Sequence, residues 1–359
     1  MNINRLLTPR QSGTGTWSTV AFLIVLTLSP IRIGQAQSIN GPNVDISGHL
    51  DVLAVEGNVA VGNNDFRIGQ FALNLSTDVN DRMIAAAEIA YASEDRAVVI
   101  DEAYLDWALF RDDGRPRNDP IGFTEVGLLI GQFDVPFGID WRVYRSVDRL
   151  MVSVPMVVAR THRGWNDLGV QFHTATSWAT LAVFAVNGFN SSPALRLDEQ
   201  AEIAPRLIAA TDETSSDLVP SEAYGARFGL LMSENAEIGT SFGAGYLADN
   251  DQQSRLFGFD ATISYEDLQL KGEFISHHYD MTVDRTSDLG FYTQGAYFFD
   301  RYFGVLRGET FHREGGPSEY CGSAGAGWLV NRNAQLRAEY RLAEGSSNDT
   351  VYLQTAIAF

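Results

Sequence analysis

Near its C-terminal end the chain reads NAQLRAEYRL. Ala334, Leu336, Ala338, Tyr340 and Leu342 fall on one side of a period-two pattern, and Gln335, Arg337, Glu339 and Arg341 on the other. Successive side chains of a β-strand point to opposite faces, so the split defines one apolar and one charged face. The last segment repeats it, with Val351, Leu353, Thr355, Ile357 and Phe359 against Tyr352, Gln354, Ala356 and Ala358. DLQLKGEF sets Leu268, Leu270, Gly272 and Phe274 against Gln269, Lys271 and Glu273. DEAYLDWAL sets Ala103, Leu105, Trp107 and Leu109 against Glu102, Tyr104 and Asp106. Alternating segments of about ten residues, separated by turn formers, are the signature of a transmembrane β-barrel. A soluble sandwich alternates too, but it rarely keeps strands this long, regular and numerous.

Composition narrows the alternatives. Of 359 residues, 45% are hydrophobic and 20% charged. That is too apolar for disorder and not apolar enough for a bundle of membrane helices. The formal charge of −19 excludes wrapping nucleic acid, which requires a net basic face. The single cysteine, Cys321, rules out an intramolecular disulfide. Its small-residue surroundings, YCGSAGAGW, mark it as a small buried or lipid-facing residue, with no helix start or basic neighbour to lower its pKa.

Arg5 and Arg10 precede the apolar run VAFLIVLTL, from Val20 to Leu28, and Gly34-Gln35-Ala36 follows with small residues. A basic start, a short apolar core and a small-residue cleavage site describe a signal peptide over 1–36, for Sec-type export. Its core is too short to span a bilayer as a helix. Loss of Arg5, Arg10 and Arg32 would leave a mature chain, 37–359, at −22. No later apolar run is long enough for a membrane helix, so a membrane protein built from the remainder must be a barrel.

About sixteen strands are expected. They begin near Val44, Phe66, Arg82, Val98, Phe123, Asn166, Trp178, Ala223, Ala236, Ser254, Leu268, Asp288, Arg301, Tyr320, Arg332 and Asp349. An even count places both ends in the periplasm. Asn80-Asp81, Ser233-Glu234-Asn235, Glu266-Asp267, Asp300-Arg301 and Asn331-Arg332 then fall in periplasmic slots as short turns. The long connections 138–165, 190–221 and 279–287 fall in extracellular slots. Arg111 to Pro120 resists the scheme, being long for a periplasmic turn.

Two stretches resemble the phosphate-selective porin O and P family of outer-membrane channels. GQFDVPFGIDW, Gly131 to Trp141, is similar to that family's strand leading into an inward-folded loop, and WNDLGVQFH from Trp165 to its next strand. GWLVNRNAQLRAEY, Gly327 to Tyr340, resembles its penultimate hairpin. The resemblance implies an all-β fold: a sixteen-stranded transmembrane antiparallel barrel with an inward-folded constriction loop, often trimeric. It also implies recognition of the terminal Phe359 by the barrel-assembly machinery. The family's phosphate channels are rich in lysine and arginine along the pore, whereas this chain has one lysine, Lys271.

The segment 138–165 carries Arg142, Arg145, Arg149, Arg160 and Arg163 against Asp140 and Asp148, a formal charge of +3 in an acidic chain. Folded into a barrel, these arginines are expected at the narrowest point, where rings of Arg favour anions. Met151-Val152 and Met156-Val157-Val158 would need a dry place to pack. Lys271, Glu273, Arg337, Glu339 and Arg341 are expected on the lumen wall. His277 and His278 are adjacent on a strand and so point to opposite faces, which disfavours a shared metal. They read as interface aromatics or solvated loop residues. Asp249-Asn250-Asp251 lacks the spacing of a calcium loop. No cofactor or metal is expected.

The reading is an outer-membrane porin for passive diffusion of small polar or anionic solutes, embedded among lipid and lipopolysaccharide. Two alternatives remain: a plugged structural or adhesive barrel, and a barrel hydrolase, which would need nucleophile, base and orienting group to converge. The chain is expected not to be an enzyme.

Overall fold

The computed structural model describes residues 43–57, 65–92, 97–112, 122–143, 145–188, 222–247, 252–280, 285–344 and 349–359. The expected signal segment 1–36, the Asp249–Asp251 run and the connection 190–221 lie outside the described residues. So does most of the Arg111 to Pro120 connection.

The alternating segments form strands β1 (Val44–Gly57), β2 (Asp65–Asn80), β3 (Met83–Ala92), β4 (Ala97–Arg111), β5 (Phe123–Asp134), β6 (Asn166–Thr176), β7 (Ala179–Val186) and β8 (Ala223–Ser233). They continue as β9 (Ala236–Leu247), β10 (Gln252–Tyr265), β11 (Leu268–Asp280), β12 (Arg285–Phe299), β13 (Tyr302–Arg313), β14 (Ser318–Asn331), β15 (Ala334–Glu344) and β16 (Thr350–Ala358). Each pairs antiparallel with its neighbours, and β1 pairs with β16 from His49↔Ala358 to Gly57↔Thr350, closing the barrel. Gly48 and Phe359 exchange backbone hydrogen bonds of 2.8 and 2.9 Å just beyond that ladder. Closure leaves no strand edge among the described residues.

The expected strand starts are met within three residues. The connection expected from Tyr279 to Ser287 is corrected at both its ends: Tyr279 pairs with Thr286, Asp280 with Arg285 and Ser287 with His278 inside the ladder, and 281–284 lie outside the described residues. The β10–β11 and β12–β13 hairpins turn on Glu266 (φ 50°) and Asp300 (φ 55°), the left-handed conformation that two-residue hairpin turns demand.

The two faces separate as alternation requires. On β15, Leu336, Tyr340 and Leu342 are exposed to the outside while Gln335, Arg337, Glu339 and Arg341 are buried inside. At the end that carries the terminal strands' closure, aromatics ring the exterior. Phe299 stacks on Tyr302 at 5.7 Å, Tyr302 on Trp328 at 6.4 Å, and Tyr265 and Tyr297 stand exposed nearby. An apolar outer wall with an aromatic girdle and charges inside suits hydrocarbon. Among the described residues no helix is long and apolar enough to cross a membrane.

Leu353 faces outward near the middle of β16. Leu353→Arg should destabilise the barrel in lipid vesicles by about 2–4 kcal/mol in a denaturant titration, against about 0–1 kcal/mol for Tyr265→Arg beside the turn. Equal costs at the two positions would contradict this placement.

Candidate functional site

The chain turns inward after β5. The Val135 N–H donates to the Trp165 carbonyl at 2.8 Å, tying together the two ends of the incoming segment. Trp165 packs edge-on to Phe184 at 5.5 Å and donates through Nε1 to the Gly188 carbonyl at 3.0 Å. Phe137 is fully buried beside it. Gly138 then takes φ +65°, and a Cβ there would lie 1.7 Å from Glu273 Oε1, so only glycine passes under that carboxylate. Beyond it come a 3-10 turn at Asp140–Val143, another at Ser146–Asp148, and a short helix α1 (Met156–Thr161). Met151, Val152, Met156, Val157 and Val158 are buried, as their apolarity demands. Val157 sits over Gly290, where a Cβ would meet it at 2.4 Å.

Charged wall residues grip this segment by its backbone. Glu339 accepts hydrogen bonds from the Val152 and Ser153 N–H groups at 2.7 and 2.8 Å and from Ser153 Oγ at 2.5 Å. Arg307 donates to the Ser153 carbonyl at 2.9 Å and pairs with Glu309, also at 2.9 Å, and Glu309 accepts from the Met156 N–H. These three side chains are at most 1% exposed. Arg337 donates to the carbonyls of Ser146 (2.6 Å) and Arg149, and to Gln354, which in turn donates to Asp51 at 2.8 Å. Arg227 donates to the Gly138 carbonyl at 2.7 Å and pairs with Asp260 (2.8 Å) and Glu237 (2.9 Å). Buried charge is tolerated where every charge meets an opposite one and further hydrogen bonds.

The expected lumen-wall residues thus lie inside, but under the segment. Lys271 pairs with Asp140 at 3.1 Å, Glu273 sits against Gly138, and Arg341 Nε donates to Cys321 Sγ at 3.0 Å. The cysteine therefore has a basic neighbour, contrary to expectation. It comes from the adjacent strand, which alternation along one strand cannot reveal.

The five arginines do not form a ring. Arg160 makes a bidentate pair with Glu319 at 2.5 and 2.8 Å and lies over the Phe311 ring at 4.7 Å. Arg142 pairs with Glu237 at 2.7 Å, and Arg145 with Asp148 at 2.6 Å. Arg149 and Arg163 border a small cavity of about 30 Å³. Two of the segment's arginines thus meet carboxylates on strands far away in sequence, and a third meets one within the segment.

The segment is held mainly by strands β8 to β16, with a further bond from the Ser146 N–H to Gln70 on β2 at 2.7 Å and packing of Val152 on Leu53 of β1, and space remains against β1–β6. A cavity of about 470 Å³ lies there, bordered by His49, Gln70, Asn74, Glu88, Asp101, Glu102, Tyr104, Asp134, Trp141, Arg142, Arg145 and Gln171, among others. Of the expected site residues, Arg142 and Arg145 reach it. Its carboxylates were not anticipated, and neither were Arg227, Arg307 and Glu309. All but Asp101, which a bulge in β4 turns inward beside Glu102, stand on the polar side of an alternating strand, which marks them as lumenal but not as partners of any particular segment.

The histidine pair splits across the wall: His277 is buried and shares a hydrogen bond of 2.7 Å with Ser254, and His278 is exposed. His277 is therefore neither a solvated loop residue nor an interface aromatic. No metal-binding cluster occurs among the described residues. The string GTSFG, Gly239–Gly243, matches the letters of a hydrolase nucleophile elbow. It runs straight through β9, and Ser241 accepts from the Gly138 N–H at 3.0 Å, whereas the elbow is a sharp strand-to-helix turn.

The barrel is similar to solved outer-membrane proteins. The anion-selective porin from Comamonas acidovorans matches with a TM-score of 0.64 at 9% identity, over 89% of this chain and 100% of that one. In-vitro folded OmpT of Vibrio cholerae matches with a TM-score of 0.59 at 10% identity, over 88% and 97%. Salmonella typhi OmpF, in complex with daunomycin, matches with a TM-score of 0.59 at 10% identity, over 89% and 98%. At such identity the likeness is one of fold. No protein-family model and no curated protein matches the sequence.

Glu339→Ala should cost about 3–5 kcal/mol in equilibrium unfolding, because it leaves the buried N–H groups of Val152 and Ser153 without their acceptor and removes one of the two carboxylates beside Arg307. Arg160→Ala, in a pair that is partly exposed, should cost about 1 kcal/mol or less. A Glu339→Ala barrel as stable as the parent would remove the anchoring role.

Proposed function

We propose that the protein is an outer-membrane porin, a passive diffusion channel for small polar solutes, in which the segment 138–165 sets the aperture. One observation carries this reading: the segment is fixed mainly to one half of the inner wall and leaves a polar-lined cavity against the other. Wall side chains meet the segment's backbone at Gly138, Val152, Ser153 and Met156. Similarity in fold to porins supports the same reading.

Several further points belong to it. Residues 1–36 direct Sec-type export, lipopolysaccharide and lipid surround the barrel, and Phe359 presents the assembly machinery with its recognition feature. A homotrimer is supported by the small outward residues Ala85, Ala87 and Ala103 on β3 and β4, which permit close approach, and by the trimer form of Vibrio cholerae OmpT among the similar structures. The protein catalyses no reaction. The anion preference expected from the segment's +3 finds no support in the pairing of its arginines. Arg142, Arg145 and Arg160 already hold carboxylates.

Single-channel recording in planar bilayers tests the channel. Discrete ohmic steps are expected from the parent protein, and larger steps after deletion of residues 140–163. A parent that stays silent while the deletion conducts would instead describe a plugged structural or adhesive barrel.

A further inference from the structure

We propose that the outer wall of the barrel binds one lipopolysaccharide by its phosphorylated, acylated anchor, with an acyl chain in a groove across β12–β15 and a phosphate on Arg255 and His278. This site rests on the outer-membrane placement of the barrel and not on its conduction.

A hollow of about 480 Å³ lies on the hydrocarbon side of the wall, floored by Thr293, Gly308 and Gly322 and flanked by Leu306, Tyr340 and Leu342. The floor residues stand directly opposite one another: Thr293 pairs with Gly308, and Gly308 with Gly322. Leu306, Tyr340 and Leu342 are all exposed, so large side chains rise beside a floor that has almost none. The bilayer core holds no water to fill such a hollow, and an acyl chain matches its apolar sides.

The barrel's own packing does not require the two glycines. Glycine inside a strand weakens it, and often marks a bulge or a place where a ligand comes close. The β12–β13 and β13–β14 ladders run without a register shift, and neither glycine has a positive φ. A Cβ on Gly308 or Gly322 would meet nothing within 4 Å, whereas one on the inward Gly290 or Gly327 would collide with Val157 or Phe303. With no bulge and no contact from within, what the two glycines accommodate comes from outside.

The rim supplies the charge. Arg255 and His278 face one another across the β10–β11 ladder, both outward and exposed. They stand at the end away from the Glu266 and Asp300 turns, which is the outer leaflet when those turns are periplasmic. Arg255 donates to Gln253 at 3.1 Å and makes no ion pair among the described residues, and His278 shares a hydrogen bond of 3.0 Å with Ser276. Glu314, the outward acid next along this rim, accepts from Ser287 at 3.0 Å. A guanidinium matches phosphate bidentately, and the imidazole beside it adds a donor. Gly272 pairs with Thr293 in the row of the floor, and His278 stands six residues further along β11. Those six residues are roughly 20 Å of tilted strand. With the groove near the middle of a ~25 Å apolar band, Arg255 and His278 reach the band's edge, where a headgroup sits.

Native mass spectrometry of the detergent-purified barrel, titrated with lipid A and separately with phosphatidylglycerol, tests the site. The parent should retain one lipid A, and phosphatidylglycerol about tenfold more weakly. Gly308→Leu with Gly322→Leu fills the groove from open space without touching the barrel's packing, and should weaken lipid A retention about tenfold. Arg255→Ala with His278→Ala should weaken it by a similar factor and remove the preference over phosphatidylglycerol. Unchanged retention in either variant, or equal retention of the two lipids by the parent, overturns the proposal. In planar bilayers both variants should conduct as the parent does, since neither pair touches the lumen, so loss of the lipid site leaves the channel reading standing.

Discussion

A backbone in hydrocarbon has no water to bond, so every N–H and C=O on the membrane-facing wall must find its partner in the sheet. Everything else in this protein follows from that closure. The ladder between β1 and β16 and the reciprocal bonds between Gly48 and Phe359 complete it. Once the sheet is closed, period two becomes absolute. Outward positions must be apolar, and charge can go only inward. Arg337, Glu339 and Arg341 therefore stand one residue away from Leu336, Tyr340 and Leu342, on the same strand and in an opposite solvent.

The same rule creates the second layer of structure. A segment folded inside a barrel carries its own backbone donors and acceptors away from bulk water, and irregular backbone cannot satisfy them by itself. Here the wall's charged side chains do so. Glu339 accepts from the N–H groups of Val152 and Ser153 and Glu309 from that of Met156, and Arg307, Arg337 and Arg227 donate to carbonyls at Ser153, Ser146 and Gly138. Such groups are costly to bury alone, which ties each to one register of the segment. A slip by one residue would break several charge-assisted bonds at once. The apolar contacts of Val157 and Met151 would tolerate it better.

The barrel was legible in the sequence because its signal is local: alternation along ten residues tells a strand and its two faces, and short polar turns tell the order. The faces of β4, β11, β15 and β16 and the even strand count came from that pattern alone. The inward segment was legible from its apolar residues, which had no place on a wet surface. Its partners were not. Arg160 meets Glu319 and Arg142 meets Glu237 across 159 and 95 residues of chain, and nothing in either neighbourhood marks the other. The bulge at Asp101 escaped for a different reason. One unpaired residue changes the phase of a strand without changing its composition, and the DEAYLDWAL pattern was read only from the far side of it. Cys321 and Arg341 meet on a diagonal between strands, where one-dimensional periodicity has no reach.

The arginine-rich segment shows how far net charge can mislead in a closed space. Five guanidiniums in 28 residues look like an anion filter when counted along the chain. In three dimensions a guanidinium contributes to the aperture only if its counter-charge is elsewhere, and an inward segment cannot choose its surroundings. It is pressed against a wall that carries most of the strands' charge. The residues that bind it best are those of opposite sign, and binding removes them from the field. What an inward segment does to the space inside a barrel therefore depends on which wall residues anchor it, more than on the charge counted along it.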